Sequence, residues 1–321
     1  ADFNDDALSP WFRRAEQRLG VGPWLAAPNE NNELLRKGAL QLGIAAAAIL
    51  RNVKGCANLG SCGMGCPTNA KQSMLVTTLP TALDRGATLL VETQVRHLEL
   101  QQGRVIALHC IGVGPNGAPR GPAVRIGARH VVVAGGAINS PALLLRSGAP
   151  DPYGLLGART FLHPVVLSAA TFDHTVAGWQ GAPQTLYSDH FLDVDPIDGP
   201  IGYKLEAPPL HPLIFSTSIG GFGRAAAASF AQFPKTHALL ALLRDGFHEQ
   251  SPGGRVRLRG DGSGELDYPL TAFVMDGARR ALLSMAELQF AAGARQVFTG
   301  HELAPAYTSW AEAKAGIASL P

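Results

Sequence analysis

The chain has 321 residues, 46% of them hydrophobic and 16% charged, with a formal net charge of +2. That length holds one large domain or two smaller ones with a sizeable core, and the charge is thin for a globular surface. The Lys and Arg residues are scattered rather than blocked, which argues against nucleic acid. No apolar run is long enough for a transmembrane helix, and the opening ADFNDDALSPWF lacks the basic and apolar regions of a secretory signal.

Residues 1–50 read as helical. Asn31 and Asn32 are cap candidates for a helix from Glu33 to about Leu50, with Leu34, Leu35, Leu42, Ile44 and Leu50 on its apolar side. Gly55 to Leu79 follows, holding Cys56, Cys62 and Cys66 at C-x5-C-x3-C among glycines and a proline. Such a run suits an ordered loop, because Gly weakens helices and strands and Pro removes a backbone donor. Lys71 to Arg85 then takes a helical pattern, and Gly86 is placed to end it.

Residues 87–134 read as β structure. The runs ATLLVET, VRHLEL, GRVIALHCIGV, AVRIGA and RHVVVAG are separated by turn signals, and the middle ones alternate as an antiparallel meander does. The last, Arg129 to Ala134, is uninterrupted and apolar, as a strand buried on both faces is. It feeds Gly135-Gly136 and a helix from about Asn139 to Arg146, with Pro141 in the first turn. Read alone, a strand–turn–helix unit of this kind is a packing turn of any α/β protein; it is also the kind of turn that brings backbone N–H groups near a nucleotide.

From 150 to 220 the chain mixes Pro and Gly with the short β runs VVLSAATF, QTLYSDHF and LIFSTSIGG, which marks a crossover into a second domain. Ala225 to Phe247 reads as a helix. RVRLR and GELDY form a hairpin over Gly260–Gly264. A further helix over 276–292 carries Leu282, Leu283, Met285, Leu288 and Phe290, Gly293 stops it, and QVF is a short strand.

The cysteine loop admits three readings. Zinc needs a fourth ligand, and no His lies nearby in sequence. Three thiolates suit an iron–sulfur cluster. The third reading is a packed loop of reduced thiols. Cys110 sits on an expected strand and reads as core. Gly221-Phe222-Gly223-x-x-Ala226 imitates a dinucleotide fingerprint but lacks the acidic partner at the end of a second strand, so it is set aside. Hydrolase and NTPase motifs are absent from the sequence.

The run C-G-x-G-C-P-x-N-A-K-Q-S-M at 62–74, the following T-x-L-P-x-A-x-x-x-G-A, GGAINSPALLLRSG at 135–148, LHP at 162–164 and AGARQV at 292–297 resemble the glucose-methanol-choline (GMC) flavin oxidoreductases, in particular their cysteine-containing bacterial dehydrogenases and fatty-alcohol oxidases. The pattern departs after Gly148, where Ala149-Pro150 stands, and before His163, where Leu162 replaces the family's frequent Asp. The resemblance covers the central portion of such an enzyme.

It implies a mixed α+β and α/β fold: part of a Rossmann-like FAD-binding domain, and an antiparallel-sheet substrate domain flanked by helices. The expected organisation is a helical segment over 1–54, flavin-domain sequence over 55–164, the substrate domain over 165–303, and a tail over 304–321. The implied activity is FAD-dependent oxidation of an alcohol by hydride transfer to flavin. Val95, Ala134 and Gly135 would bind FAD, and Cys56, Cys62 and Cys66 would hold the iron–sulfur cluster that passes electrons to a partner such as a cytochrome. No catalytic residue is expected within the chain; the catalytic histidine belongs to a C-terminal segment, and His163 reads as structural. Cytoplasm, periplasm or the periphery of a bacterial inner membrane all fit. The competing reading is a non-catalytic fragment or binding module that keeps the fold without the flavin pyrophosphate site.

Overall fold

The computed structural model describes residues 3–218, 222–301 and 304–320. At the N-terminus α1 (Asp5–Leu19) is capped by the Asn4 side chain and closed by left-handed Gly20. A short strand β1 (Val21–Gly22) follows, then α2 (Glu30–Gln41). Its cap is Asn29, not Asn31 or Asn32; those two lie inside the helix, buried, and bond across to strands instead. The helix stops well short of Leu50, at left-handed Gly43. Beyond it come β2 (Ala47–Ala48) and β3 (Arg51–Asn52).

The cysteine loop is irregular, with one 3-10 turn at Cys62–Met64. The helix expected over Lys71–Arg85 is confined to α3 (Thr78–Asp84). Residues 73–77 make local turns instead, in which the Thr77 hydroxyl donates to Ser73 O, a side-chain competition typical of Ser and Thr.

The meander forms. β4 (Thr93–Gln101), β5 (Arg104–Val113) and β6 (Pro119–Gly127) pair antiparallel in that order. Two expectations fail at its ends. Residues 87–92 are not strand, and Leu89, Leu90 and Val91 are exposed. The buried strand over Arg129–Ala134 is also absent: no described segment pairs with it, and Val132 is 89% exposed. A strand needs a ladder partner for its N–H and C=O groups, and neither run finds one. This stretch therefore lends the flavin-domain assignment of 55–164 no support. The helix after Gly135 does form, as α4 (Gly136–Arg146).

In the second half β7 (Val165–Thr171), β8 (Leu186–Ser188) and β9 (Tyr203–Glu206) follow. LIFSTS, expected as a strand, is α5 (Pro212–Ser218). The helix expected over 225–247 divides: α6 (Gly223–Ala231) ends, Pro234 sits in a 3-10 turn, and Thr236–Leu243 is strand β10. Leu and Ala carry good helix propensity, but a run buried in mid-sheet follows its tertiary partners. The dinucleotide-like Gly221 lies outside the described residues. β11 (Arg255–Leu258) and β12 (Gly264–Asp267) make the expected hairpin, and α7 (Ala272–Ala292), β13 (Gln296–Phe298) and α8 (Trp310–Ala318) complete the chain.

The chain divides into two compact bodies. The first comprises Ala1–Arg85, His163–Arg244 and Ala272–Pro321. Its sheet runs β13-β7-β10-β9-β8-β2, antiparallel throughout, and α2 and α7 cover one face. Leu239, Ala241 and Leu243 of β10 pack there with Leu35, Met285 and Leu288. Gly38 lets the two helices meet: a Cβ at that position would lie 2.3 Å from Leu288 O. The second body, Gly86–Leu162 and Asp245–Thr271, contains the meander, α4 and the β11–β12 hairpin. Among the described residues no helix is long and apolar enough to cross a membrane.

Candidate functional site

In the second body, α4 packs on β4 and on the β11–β12 hairpin. Ser147 Oγ accepts from Leu98 N–H (2.9 Å) and donates to Leu143 O (2.7 Å). Arg146 donates to Arg96 O (3.1 Å) and Gly262 O (2.9 Å), and burial lowers its pKa. These bonds fix the C-terminal end of α4 relative to β4 and the β11–β12 hairpin. Gly135 is the N-cap and offers no side-chain bond, so the first helical N–H groups have no side-chain cap. Gly136 holds φ +82 and a Cβ there would meet nothing within 4 Å. Ala134 and Gly135 are exposed. Val95 lies half-buried on β4 opposite Cys110, beside an irregularity in register between Val95 and His97. A glycine-flanked, uncapped helix start suits close approach by a nucleotide's polar groups.

In the first body, the sheet face opposite α2 and α7 carries Val165, Leu167, Leu240 and Leu242. Leu167 pairs with Leu240 and Val165 with Leu242, and Leu167 is 52% exposed. The next strand continues those rows with Glu206 and Lys204. Lys204 Nζ lies 3.1 Å from Glu206 Oε1 and 4.2 Å from the Tyr187 ring centroid, and Gln184 donates to Glu206 Oε2 (2.7 Å). The result is an apolar patch with one charge-paired polar edge. Sequence reading missed Gln184, Tyr187, Lys204 and Glu206; the alternation in Tyr-Lys-Leu-Glu was the available signal.

The three cysteines line one shallow concavity, open to solvent. Cys56 Sγ accepts from Asn58 N–H (3.3 Å), and Cys66 Sγ accepts from Ala70 N–H (3.3 Å) and shares a hydrogen bond with Thr68 Oγ1 (3.5 Å). The Thr68 bond, aided by Ala70 N–H, lowers the Cys66 thiol to about 7. Among the described residues no three His, Cys, Asp or Glu side chains are placed to hold a metal ion, which lends the expected iron–sulfur cluster no support. All four thiols are free. Cys110 is buried, as expected, and burial raises its pKa. His163 is exposed.

A surface group on the meander also escaped the sequence reading. Glu99 accepts from Arg125 (2.7 and 3.1 Å) and bonds His109 (2.9 Å). Arg125 first, then His109, lower its pKa to about 2.

The first body is thus an antiparallel sheet backed by α2 and α7, and the second a meander with a glycine-led helix. The chain belongs to the GMC oxidoreductase family, whose model matches residues 1–165; members of this family bind FAD. It is 31% identical over 308 residues to an uncharacterized GMC-type oxidoreductase of Mycobacterium tuberculosis, covering 96% of this chain and 46% of the relative. A long-chain-alcohol oxidase of Arabidopsis thaliana is 26% identical over 298 residues, covering 88% and 37%. The fold is shared with pyridoxine 4-oxidase from Mesorbium loti, at TM-score 0.55 and 18% identity, covering 93% of this chain and 58% of that one. The chain thus spans between 37% and 58% of the length of these proteins.

Proposed function

We propose that the protein containing this chain oxidises an apolar alcohol, of the long-chain class, with FAD as cofactor. The observation that carries this reading is the open sheet face, where Val165, Leu167, Leu240 and Leu242 form an apolar patch bordered by the Lys204–Glu206 pair. Such a face suits an alkyl chain, with the polar edge as its limit. Family membership and the alcohol oxidase among its relatives support it. Bound FAD would supply the two-electron acceptor for the hydride of the alcohol carbon. Val95, Ala134 and Gly135 would hold the nucleotide end of FAD through their backbone groups. The sheet face would hold the alkyl chain and exclude water from it. The base that takes the hydroxyl proton is not assigned to a residue of this chain.

The test is steady-state kinetics on the complete protein with primary alcohols of increasing length, alongside its flavin absorbance spectrum. Each buried CH2 is worth about 0.8 kcal/mol, so kcat/KM should rise roughly fourfold per methylene until the chain outruns the face. Leu167→Thr should flatten that slope for long alcohols and spare short ones. A flat dependence on chain length would remove the long-chain reading, and absence of flavin would favour a non-catalytic binding module.

A further inference from the structure

The cysteine loop combines a fixed base with an adjustable link. Ala70 is buried, Asn58 Oδ1 accepts from Ala182 N–H (2.7 Å), and a Cβ at Gly60 would lie 2.2 Å from Trp179 O, so those parts are held by the rest of the first body. Between Cys62 and Cys66 lie only Gly63, Met64 and Gly65. Gly65 holds φ +101, and a Cβ there would meet nothing within 4 Å. Two glycines in a three-residue link leave its backbone free to adjust. Cys62 is exposed, where an oxidant or reductant reaches it, and both thiols border the same concavity.

We propose that Cys66 and Cys62 form a reversible redox pair that a peroxide closes into a disulfide. The Cys66 sulfur attacks the peroxide: an S–O bond forms, the O–O bond breaks, the sulfur is oxidised to sulfenic acid, and the departing oxygen leaves as hydroxide. The Cys62 thiol then condenses with it. An S–S bond forms, the S–O bond breaks, and the Cys62 proton leaves with the hydroxyl as water. An external dithiol reverses the step by exchange. The hydrogen bonds to Cys66 from Ala70 and Thr68 favour its thiolate and make it the attacking sulfur. Closing the bond draws Cys66 away from both partners, so the state of the pair is transmitted to the segment leading to α3.

The test is peptide mass spectrometry on the complete, fully reduced protein after stoichiometric hydrogen peroxide. The expected product is a Cys62–Cys66 peptide lighter by two hydrogens and restored by dithiothreitol; sulfoxidation of the exposed Met64 instead adds one oxygen. Cys62→Ser should leave Cys66 as a sulfenic acid that dimedone traps. Thr68→Val should slow disulfide formation several-fold while leaving the circular dichroism unchanged. A disulfide through Cys56, no loss of hydrogens, or an unchanged rate in Thr68→Val would overturn the proposal. So would iron and acid-labile sulfide bound by the three cysteines in anaerobically purified protein.

Discussion

Two apolar stretches of this chain, Ala238–Leu243 within β10 and Val131–Ala134, meet opposite fates. β10 lies between β7 and β9, bonded on both sides, and its Leu239 is fully buried under α7. Val131–Ala134 is unpaired among the described residues, and its Val132 is 89% exposed. The residue types are alike. What differs is the supply of partners: β10 has strands on both edges and a helix over it, whereas Val131–Ala134 has no ladder. Burial of a large aliphatic side chain is worth about 1.5–3 kcal/mol, and a run collects it only when neighbours close over it.

The sharpest way to break this comparison is at its buried end. Leu239→Ala removes a side chain with no exposed surface from the centre of the largest core cluster. Such a truncation costs about 2–5 kcal/mol, because the site collapses only partly. Urea unfolding of the chain should show a lower midpoint with an unchanged slope. A loss under about 1 kcal/mol would mean that β10 is not packed as described.

The next effect concerns how the sheet is tied to α2. Asn32 Oδ1 accepts from Thr185 N–H (2.9 Å) and Leu186 N–H (3.1 Å), and Asn31 Oδ1 accepts from Ala238 N–H (2.9 Å). Asn32→Ala strands two buried donors at once, each costing about 1–3 kcal/mol. A loss of roughly 2–3 kcal/mol is expected by the same urea measurement. A loss under about 1 kcal/mol would show that the side chain's bonds are not what holds β8.

His237 gives a pH-dependent version of the same contrast. It is fully buried on β10, Gln289 Nε2 lies 3.3 Å from its Nδ1, and burial lowers its pKa to about 3. The unfolded chain has the ordinary value near 6.5. Between those values the unfolded state binds more protons, so this group's contribution is complete above about pH 6.5 and is lost as pH falls toward 3. The loss approaches about 1.4 kcal/mol per pH unit. His237→Leu should flatten the stability profile over that window. An unchanged slope would assign the acid sensitivity to other groups.

What the sequence revealed follows the same division. α7, α4, the meander and the β11–β12 hairpin were legible because their patterns are local: a helical period, Gly-bounded alternation, a Gly-rich turn. β10 was read as helix because Leu and Ala suit helices, and nothing in the run names its partners. Asn31 and Asn32 were read as caps because Asn caps locally; that they bond to strands more than 150 positions away is invisible without the fold. The open sheet face was hidden for the same reason, since its four aliphatic side chains come from two strands about 70 positions apart. The cysteines were visible as a cluster, but spacing alone did not say whether their sulfurs converge.

The smallest expected effect lies at the exposed end. Val132→Ser removes an aliphatic side chain that touches little, and exposed substitutions of this kind stay within about 0.5 kcal/mol. Leu89, Leu90 and Val91 of the same body are exposed as well, also on backbone outside the strands. A group of exposed apolar residues on unpaired backbone is prone to edge pairing and self-association. Val132→Ser should therefore leave the urea midpoint nearly unchanged while reducing any concentration-dependent association of the chain in sedimentation velocity. A stability cost above about 1 kcal/mol, independent of protein concentration, would mean that Val131–Ala134 is covered within the folded chain in solution, and the contrast with β10 would fall. A cost that grows with concentration would mean that a second copy supplies the missing ladder, and the rule drawn from β10 would hold for both runs.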